Sequence, residues 1–188
     1  MPLKLSGATS GTITLDTPAA AGSNTLILPA KTGNIITSAD TGTVTQGMMG
    51  ANVAGTGPAF YAPAGGNIAV AHATNTKMSF GAESFDTASC YASDRFTPTI
   101  AGYYLLTGCV AYQGGTVSSV CITNIYKNGS SVGEGASVPT TTYASPITTQ
   151  LVYLDGSTDY VEIYAYQITG STQTMNGKFF CGFLARAA

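Results

Sequence analysis

From residue 60 onward the sequence repeats one pattern, in which short runs rich in Tyr and Val are separated by turn residues. Such runs are typical of strands that have one buried and one exposed face. No stretch shows convincing helical periodicity. The candidate strands are residues 67–71, 76–80, 102–111, 119–127, 148–154, 160–167 and 177–184. Many short antiparallel strands of this kind predict an all-β, antiparallel jelly-roll sandwich.

Two dipeptides mark turns between these runs. Asn128-Gly129 follows the run Ile-Tyr-Lys, and Asp155-Gly156 follows the run Val-Tyr-Leu. Both dipeptides tolerate the positive φ angles that the tight turns of β-hairpins require. We therefore predict that each of them closes a hairpin.

Residues 1–40 differ from the rest of the chain. Segment 10–15 alternates polar and apolar residues, segment 24–29 repeats that strand pattern, and residues 35–37 form a third short apolar piece. Three short strands with so few large side chains cannot close a core in a single chain. We interpret the segment as a β-rich attachment and trimerisation module, whose apolar faces are covered by copies of itself.

Residues 41–58 are rich in Gly, Ala and Thr and carry no charge. This composition indicates a connector, which is either a flexible tether or a stalk packed between chains. The jelly-roll domain then spans residues 59–188.

The charge pattern argues against binding to nucleic acid, and the length of the apolar stretches argues against insertion into a membrane. Only 9% of the residues are charged, against roughly 25% in a typical soluble domain, and the formal net charge is −2. Without a run of Lys or Arg there is no electrostatic footprint for nucleic acid. The apolar stretches are far shorter than the ~20 residues that span a bilayer, so we expect no membrane insertion. The first residues lack the apolar core of a signal peptide, and we expect synthesis in the cytoplasm.

The four cysteines are Cys90, Cys109, Cys121 and Cys181. None are at CxxC spacing, and the single His72 cannot complete a zinc site with them. We interpret them as buried free thiols that pack as small hydrophobic groups. One disulfide stays open as an alternative.

Catalytic patterns are weak. His72 is the only imidazole, and we interpret it as a structural or surface residue. Glu83 with Asp86, and Asp155 with Asp159, are the pairs of acids that a glycosidase reading would need. Because Asp favours turns, turn chemistry explains both pairs more simply. We expect no enzyme activity and no cofactor.

A calcium site is a further alternative for the acids. Asp155, Asp159 and Glu162 could supply oxygen ligands, but neither the number nor the spacing of an EF-hand loop is present. The sequence therefore gives no metal ligand that we would assign.

Four runs carry a family resemblance. They are Phe-Thr-Pro-Thr-Ile-Ala-Gly-Tyr-Tyr at 96–104, Ile-Tyr-Lys-Asn-Gly at 125–129, Leu-Asp-Gly-Ser-Thr-Asp-Tyr-Val at 154–161 and Phe-Phe-Cys-Gly-Phe-Leu at 179–184. The first run has a Phe, five residues, a Gly, one residue and an aromatic. Together these motifs resemble the complement C1q and tumour necrosis factor jelly-roll superfamily. The resemblance covers the chain after about residue 60.

The resemblance implies a homotrimer in which the sheet of the first, third and last strands lines a threefold axis. A sheet whose outer face carries aromatics must cover them, and closed cyclic symmetry does so without leaving a polymerising surface. By this analogy the trimer-interface candidates are Tyr104, Leu106, Phe179 and Phe183, some facing the axis and some the sandwich core. Gly182 matches the family glycine that lets chains pack closely.

The first forty residues resemble something else. The runs Ser-Gly-Thr-Ile-Thr-Leu, Pro-Ala-Ala-Ala-Gly-Ser-Asn-Thr-Leu-Ile-Leu-Pro and Thr-Gly-Asn look like modules of bacteriophage tail-fibre and virion proteins, which commonly precede a C-terminal jelly roll. The resemblance implies a virion structural protein that forms a trimeric tail fibre, baseplate or head fibre. Its N-terminal module would bind other virion proteins, and its location would be the virion, assembled in the host cytoplasm.

The jelly-roll loops would then present contacts to a host-surface glycan or protein. The receptor-binding candidates are Gln113, Asn128, Tyr143 and Gln173, of which Tyr143 is preferred because an aromatic face on a polar loop suits such contacts. Residues 134–146 form the longest stretch without a strong strand signal, which is where binding tends to lie. The alternatives are a purely structural decoration or cementing protein and, more distantly, a secreted signalling-type jelly roll.

Overall fold

The computed structural model describes residues 3–6, 9–15, 57–112, 120–137 and 143–188. The chain divides into two compact units, Met1–Asp40 and Thr41–Ala188. In the first unit, β1 (Leu3–Ser6) pairs antiparallel with β2 (Thr12–Leu15). The strand expected over 10–15 is therefore present in shorter form, and β1 was not predicted.

Several predictions for this part of the chain lie outside the described residues. They are the strand pieces at 24–29 and 35–37 and all but the last two residues of the connector at 41–58. The division into module, connector and jelly roll stays a prediction.

The second unit is built from twelve strands in the described residues. In chain order they are β3 (Ala59–Ala62), β4 (Asn67–Val70), β5 (Thr76–Lys77), β6 (Phe85–Asp86), β7 (Tyr91–Ala92), β8 (Arg95–Phe96), β9 (Gly102–Tyr112), β10 (Cys121–Lys127), β11 (Ser130–Ser137), β12 (Ile147–Leu154), β13 (Val161–Gln167) and β14 (Gln173–Ala187).

These strands form two antiparallel sheets. Sheet 1 has the order β11-β10-β13-β8-β7, with β5 also paired to β13. Sheet 2 has the order β12-β9-β14-β3-β6, with β4 also paired to β14. Buried side chains from both sheets form one hydrophobic core between them. The predicted all-β antiparallel sandwich is confirmed.

An aromatic cluster forms the centre of the core. The ring of Phe60 stacks on Tyr91 and Phe96, with ring centroids 4.9 and 4.5 Å apart, and meets Phe180 edge-on at 4.8 Å. Each such pair contributes about 0.5–1.5 kcal/mol beyond the area it buries. Tyr104 is also fully buried, and its hydroxyl donates to the carbonyl of Ile100 at 2.7 Å. These aromatic contacts pack β3 and β14 of sheet 2 against β7 and β8 of sheet 1.

The Asn128-Gly129 hairpin is confirmed. Lys127 of β10 pairs with Ser130 of β11, which leaves a two-residue turn. Asn128 has a φ of 50° and Gly129 a φ of 80°, as a type I′ turn requires. The strand that follows was not predicted, because the sequence of β11, Ser-Ser-Val-Gly-Glu-Gly-Ala-Ser, lacks the alternation of a half-buried strand. It also shortens the loop expected over 134–146.

The predicted hairpin at Asp155-Gly156 is wrong. The preceding strand β12 pairs with β9 in sheet 2, whereas the following strand β13 pairs with β10 in sheet 1. The dipeptide does form a turn, since Gly156 has a φ of 71° and lies directly against the backbone of Ile100 and Ala101. The turn carries the chain from one sheet to the other. A turn dipeptide indicates a reversal but not which strands pair across it.

Candidate functional site

The outer face of sheet 2 follows from the pleat of its strands. Successive side chains of a strand point to opposite faces. In β9, Tyr104 and Leu106 are fully buried between the sheets, while Tyr103 is exposed and Leu105 is half-buried on the opposite face. The registry of β9 with β12 and β14 extends this alternation across the sheet.

Large apolar side chains line up in cross-strand rows on this face. Leu151 of β12, Leu105 of β9 and Phe183 of β14 are opposite one another. The neighbouring row places Tyr153 against Tyr103, with ring centroids 5.5 Å apart. We call this surface the apolar face, and its members are Tyr61, Phe85, Tyr103, Leu105, Ile147, Leu151, Tyr153, Phe179, Cys181 and Phe183. None of these side chains is charged, but the charged Arg186 of β14 is the cross-strand partner of Tyr103 at one end of the face.

Much of the apolar face is open to solvent in the single chain. Leu151 is 59% exposed, Ile147 55%, Phe85 51% and Phe183 49%. Large contiguous apolar patches are rare on monomeric soluble proteins and mark interaction sites. Scattered apolar residues would need no explanation, but alignment in registered rows on one sheet does.

A cavity of about 560 Å³ lies at one end of the apolar face. Its wall is formed by Tyr103, Leu151 and Tyr153 together with residues 185–188. The carbonyl of Tyr153, one of the lining residues, accepts a hydrogen bond from the ammonium group of Lys127 at 2.8 Å. This end of the apolar face is therefore concave.

Two of the trimer-interface candidates require correction. Tyr104 and Leu106 are fully buried inside the sandwich, so neither can contact another chain. Gly182 also faces the core, where a side chain would meet Leu106 and Phe60. The sequence left open which of the candidates face the axis and which the sandwich core, and the structure places Tyr104 and Leu106 in the core.

The other two interface candidates, Phe179 and Phe183, lie on the apolar face, and their role in an interface stays a prediction. Sequence reasoning missed Tyr103, Leu151 and Tyr153. A signal was present, because β9 is apolar at both alternating sets of positions, as expected for a strand covered on both faces.

The receptor-binding candidates do not form one cluster. Tyr143 precedes β12 and Gln173 begins β14, both at the end of the sandwich where Tyr112 ends β9. Tyr143 is 47% exposed, and the ammonium of Lys178 lies 5.9 Å from its ring centroid. Gln173 accepts a hydrogen bond from the Tyr112 hydroxyl at 2.9 Å. Gln113 lies outside the described residues.

Asn128 lies at the opposite end and has a structural role. Its amide nitrogen donates to Asp159 at 2.6 Å, and its side-chain oxygen accepts from the backbone N–H of Tyr160 at 3.0 Å. These bonds tie the β10–β11 hairpin to the chain entering β13. Both the amide nitrogen and the amide oxygen of Asn128 are therefore used within the chain. Such a side chain is poorly suited to bind a receptor, so Asn128 is withdrawn as a receptor-binding candidate.

The acids considered for calcium or catalysis are engaged separately. The two carboxylates of Asp155 and Asp159 each accept a hydrogen bond from the backbone of the other residue, as turn chemistry predicts. Burial raises the pKa of Asp159, but hydrogen bonds from Lys127 and Asn128 outweigh burial, so the pKa lies below its ordinary value. Within the described ranges no cluster of His, Cys, Asp or Glu could hold a metal ion.

The remaining sequence candidates have simple environments. The Nδ1 atom of His72 accepts a hydrogen bond from the backbone of Gly170 at 3.0 Å, in keeping with a structural His. The four cysteines, all of which lie in the described residues, form no disulfide. Burial raises the pKa of Cys109, Cys121 and Cys181, which keeps those thiols protonated near neutral pH. In the part of the chain that the structure describes, no helix could span a membrane.

Comparison with solved structures identifies the fold. The globular domain of zebrafish complement 1qA protein matches with a TM-score of 0.54 and 13% sequence identity, covering 70% of this chain and 98% of that domain. This chain has a C1q-like jelly-roll fold. At such low identity the likeness to complement 1qA establishes architecture and nothing finer.

Further similarities are weaker. Murine APRIL at pH 5.0 matches with a TM-score of 0.44 and 12% identity over 64% of this chain and 98% of that one. The structure of murine APRIL at pH 8.0 matches with a TM-score of 0.44 and 14% sequence identity, covering 65% of this chain and 97% of that one. No protein-family model matches the sequence, and no curated protein matches it either.

Proposed function

We propose that this chain is the subunit of a homotrimeric fibre of a bacteriophage virion, in which the C-terminal C1q-like domain trimerises and presents loops to the host surface. The apolar face of sheet 2 is the observation that carries the proposal. Domains of this fold commonly form homotrimers. An exposed face on which large apolar side chains are aligned across the strands is what a chain buried around a threefold axis needs.

The apolar face is better covered by a closed ring of subunits than by an open assembly, because an open assembly continues to grow. If the apolar face met an unrelated patch on the next copy, the contact would either close into a ring or propagate into a filament. In the proposed trimer, three copies turn this face towards one axis and bury it there. Obligate interfaces of this kind resemble a domain core cut into parts, which agrees with the Leu, Tyr and Phe rows on this sheet.

The fibre role is supported by the resemblance of the first forty residues to tail-fibre and virion modules. In this proposal the N-terminal module attaches the trimer to other virion proteins, and the jelly roll projects. Tyr143 and Gln173 lie together at one end of the sandwich, so that end is the preferred contact surface. The protein acts by binding and assembling, without catalysis.

Competition tests the recognition role. Purified protein is added to host cells before the parent phage, and both adsorption of the protein and phage infection are measured. We expect saturable binding and a block of infection, both reduced by Tyr143→Ala and unchanged by the control Val132→Ala, at an exposed side chain of β11. Absence of binding and of competition would contradict host recognition and leave a purely structural decoration role.

Electron microscopy of the parent particle separates the two roles by position. We expect residues 1–40 to be buried in the particle and the jelly roll to project from it. Burial of both ends would contradict the fibre proposal and favour cementing. Absence of the chain from the particle would contradict any virion role.

A further inference from the structure

A short hairpin on sheet 1 forms the wall of a second cavity. Its strands β7 and β8 are joined by the two-residue turn Ser93-Asp94, with φ angles of 52° and 58°. The ammonium of Lys77, on β5, donates to the carbonyl of Ser93 at 3.0 Å. This bond fixes the turn against β5. The side chains of Arg95 and Lys77 meet at the same oxygen atom of Glu162.

A buried carboxylate holds both cations in place. Glu162, on the adjacent β13, has a side chain only 4% exposed. Its Oε1 accepts from Lys77 at 2.7 Å and from the Nε of Arg95 at 2.9 Å, and its Oε2 accepts from the Tyr164 hydroxyl at 3.2 Å. The guanidinium of Arg95 also stacks 3.8 Å above the ring centroid of Tyr160. Two cations therefore share one buried carboxylate oxygen.

The cavity beside these cations has a volume of about 500 Å³. Its lining residues are Lys77, Ser89, Cys90, Ala92, Ser93, Arg95 and Thr97. The wall therefore combines two cations and three hydroxyl side chains, and it contains no carboxylate. The nearest acid in sequence, Asp94, is engaged elsewhere, because its Oδ1 accepts from the backbone of Phe80 at 2.8 Å.

The contrast with the rest of the molecule makes this cavity distinctive. The whole chain carries only seven Lys and Arg residues and a net charge of −2. Two of those seven converge on one concave site, and their side chains are 34% and 44% exposed towards solvent. A structural ion pair alone would need one cation for Glu162, and the second cation leaves donors directed outward.

We propose that this cavity binds an acidic saccharide, and that Lys77 and Arg95 bind its single carboxylate or sulfate group. Arg95 keeps free N–H donors beyond those that reach Glu162, and a planar guanidinium is suited to a carboxylate or sulfate. The hydroxyls of Ser89, Ser93 and Thr97 bind hydroxyl groups of the sugar ring. The cavity volume lies within the range of about 300–1,000 Å³ that small-molecule sites occupy.

This inference does not depend on the trimer, since the cavity wall is built on β5, β7 and β8 of sheet 1, whereas the apolar face lies on sheet 2. It gives a ligand class to the host recognition proposed above, but at a different surface from the loop end that carries Tyr143. Failure of the competition experiment would leave the cavity untouched, and failure of saccharide binding here would leave the apolar face and the trimer untouched.

Titration followed by NMR chemical shifts tests the cavity. Glucuronic acid supplies the carboxylate, glucose 6-sulfate supplies the sulfate ester, and glucose is the neutral control. We expect one or both acidic sugars to shift the amide signals of the β7–β8 hairpin, with no shift from glucose. Arg95→Gln should weaken binding by about tenfold or more, because it removes a charge-assisted hydrogen bond.

Lys127→Gln is the matched control, because Lys127 also forms a 2.7 Å ion pair, with Asp159, but does not line this cavity. It should leave binding unchanged. Should Arg95→Gln fail to fold, Thr97→Val removes a lining hydroxyl at constant size and should weaken binding several-fold. The proposal is overturned if neither acidic sugar binds, if glucose binds equally, or if the control weakens binding as much as Arg95→Gln. Inorganic sulfate binding as tightly as glucose 6-sulfate would overturn the saccharide assignment.

Discussion

Leu151→Ala is the sharpest perturbation of the apolar face. Fully burying a Leu side chain is worth about 1.5–3 kcal/mol. Because Leu151 is 59% exposed in the single chain, its burial in an assembly contributes about 1–2 kcal/mol per chain. Ala keeps roughly a third of the apolar area, so three symmetry-related copies lose about 2–4 kcal/mol per trimer.

This loss converts into a measurable shift in assembly. In a monomer–trimer equilibrium the midpoint concentration varies as the square root of the dissociation constant. Because each 1.4 kcal/mol changes the dissociation constant tenfold, the midpoint concentration should rise about five- to thirtyfold. Fluorescence-detected sedimentation over a dilution series measures it. Val132→Ala, at a side chain 40% exposed on β11 of the other sheet, should leave the midpoint unchanged, and equal shifts in the two variants would refute the assignment of the face.

Three further predictions concern the fold. Asn128→Ala should lower the free energy of unfolding by about 2 kcal/mol, since it removes two hydrogen bonds and an Asn from a left-handed turn position; urea unfolding, with Ser131→Ala as a near-neutral control, measures it. Tyr104→Phe should cost about 1 kcal/mol, because it deletes a buried 2.7 Å hydrogen bond, and an unchanged urea midpoint would contradict that. Burial raises the pKa of Glu162, but its two ion pairs outweigh burial and lower the pKa, so its stabilisation should be full above about pH 4.3 and lost as the pH falls further. Thermal unfolding across that range should depend less on pH in Glu162→Gln than in wild type or Glu134→Gln.

Local chemistry explains which parts of the fold could be predicted. Asn128-Gly129 specifies its own turn, because both residues accept positive φ, and the strands on either side pair as neighbours. Asp155-Gly156 specifies a turn equally well, but the strands beside it belong to different sheets. That assignment depends on long-range pairing of β12 with β9, which no local pattern records.

The candidate site shows the same limit. The alternation of β9 places Tyr104 and Tyr103 on opposite faces, yet it does not say which face meets the other sheet. Packing decides that, since Tyr104 fits against Phe96 with ring centroids 5.4 Å apart. The cationic cavity was equally hidden, because Lys77, Arg95 and Glu162 come from three separate strands.

The mass of the wild-type protein in solution tests the central claim most directly. Light scattering coupled to size-exclusion chromatography, over a concentration series at neutral pH, gives that mass without reference to shape. A trimer predicts three times the 19.1 kDa of one chain. A mass of one or two chains throughout the series would contradict the assignment of the apolar face to a threefold interface.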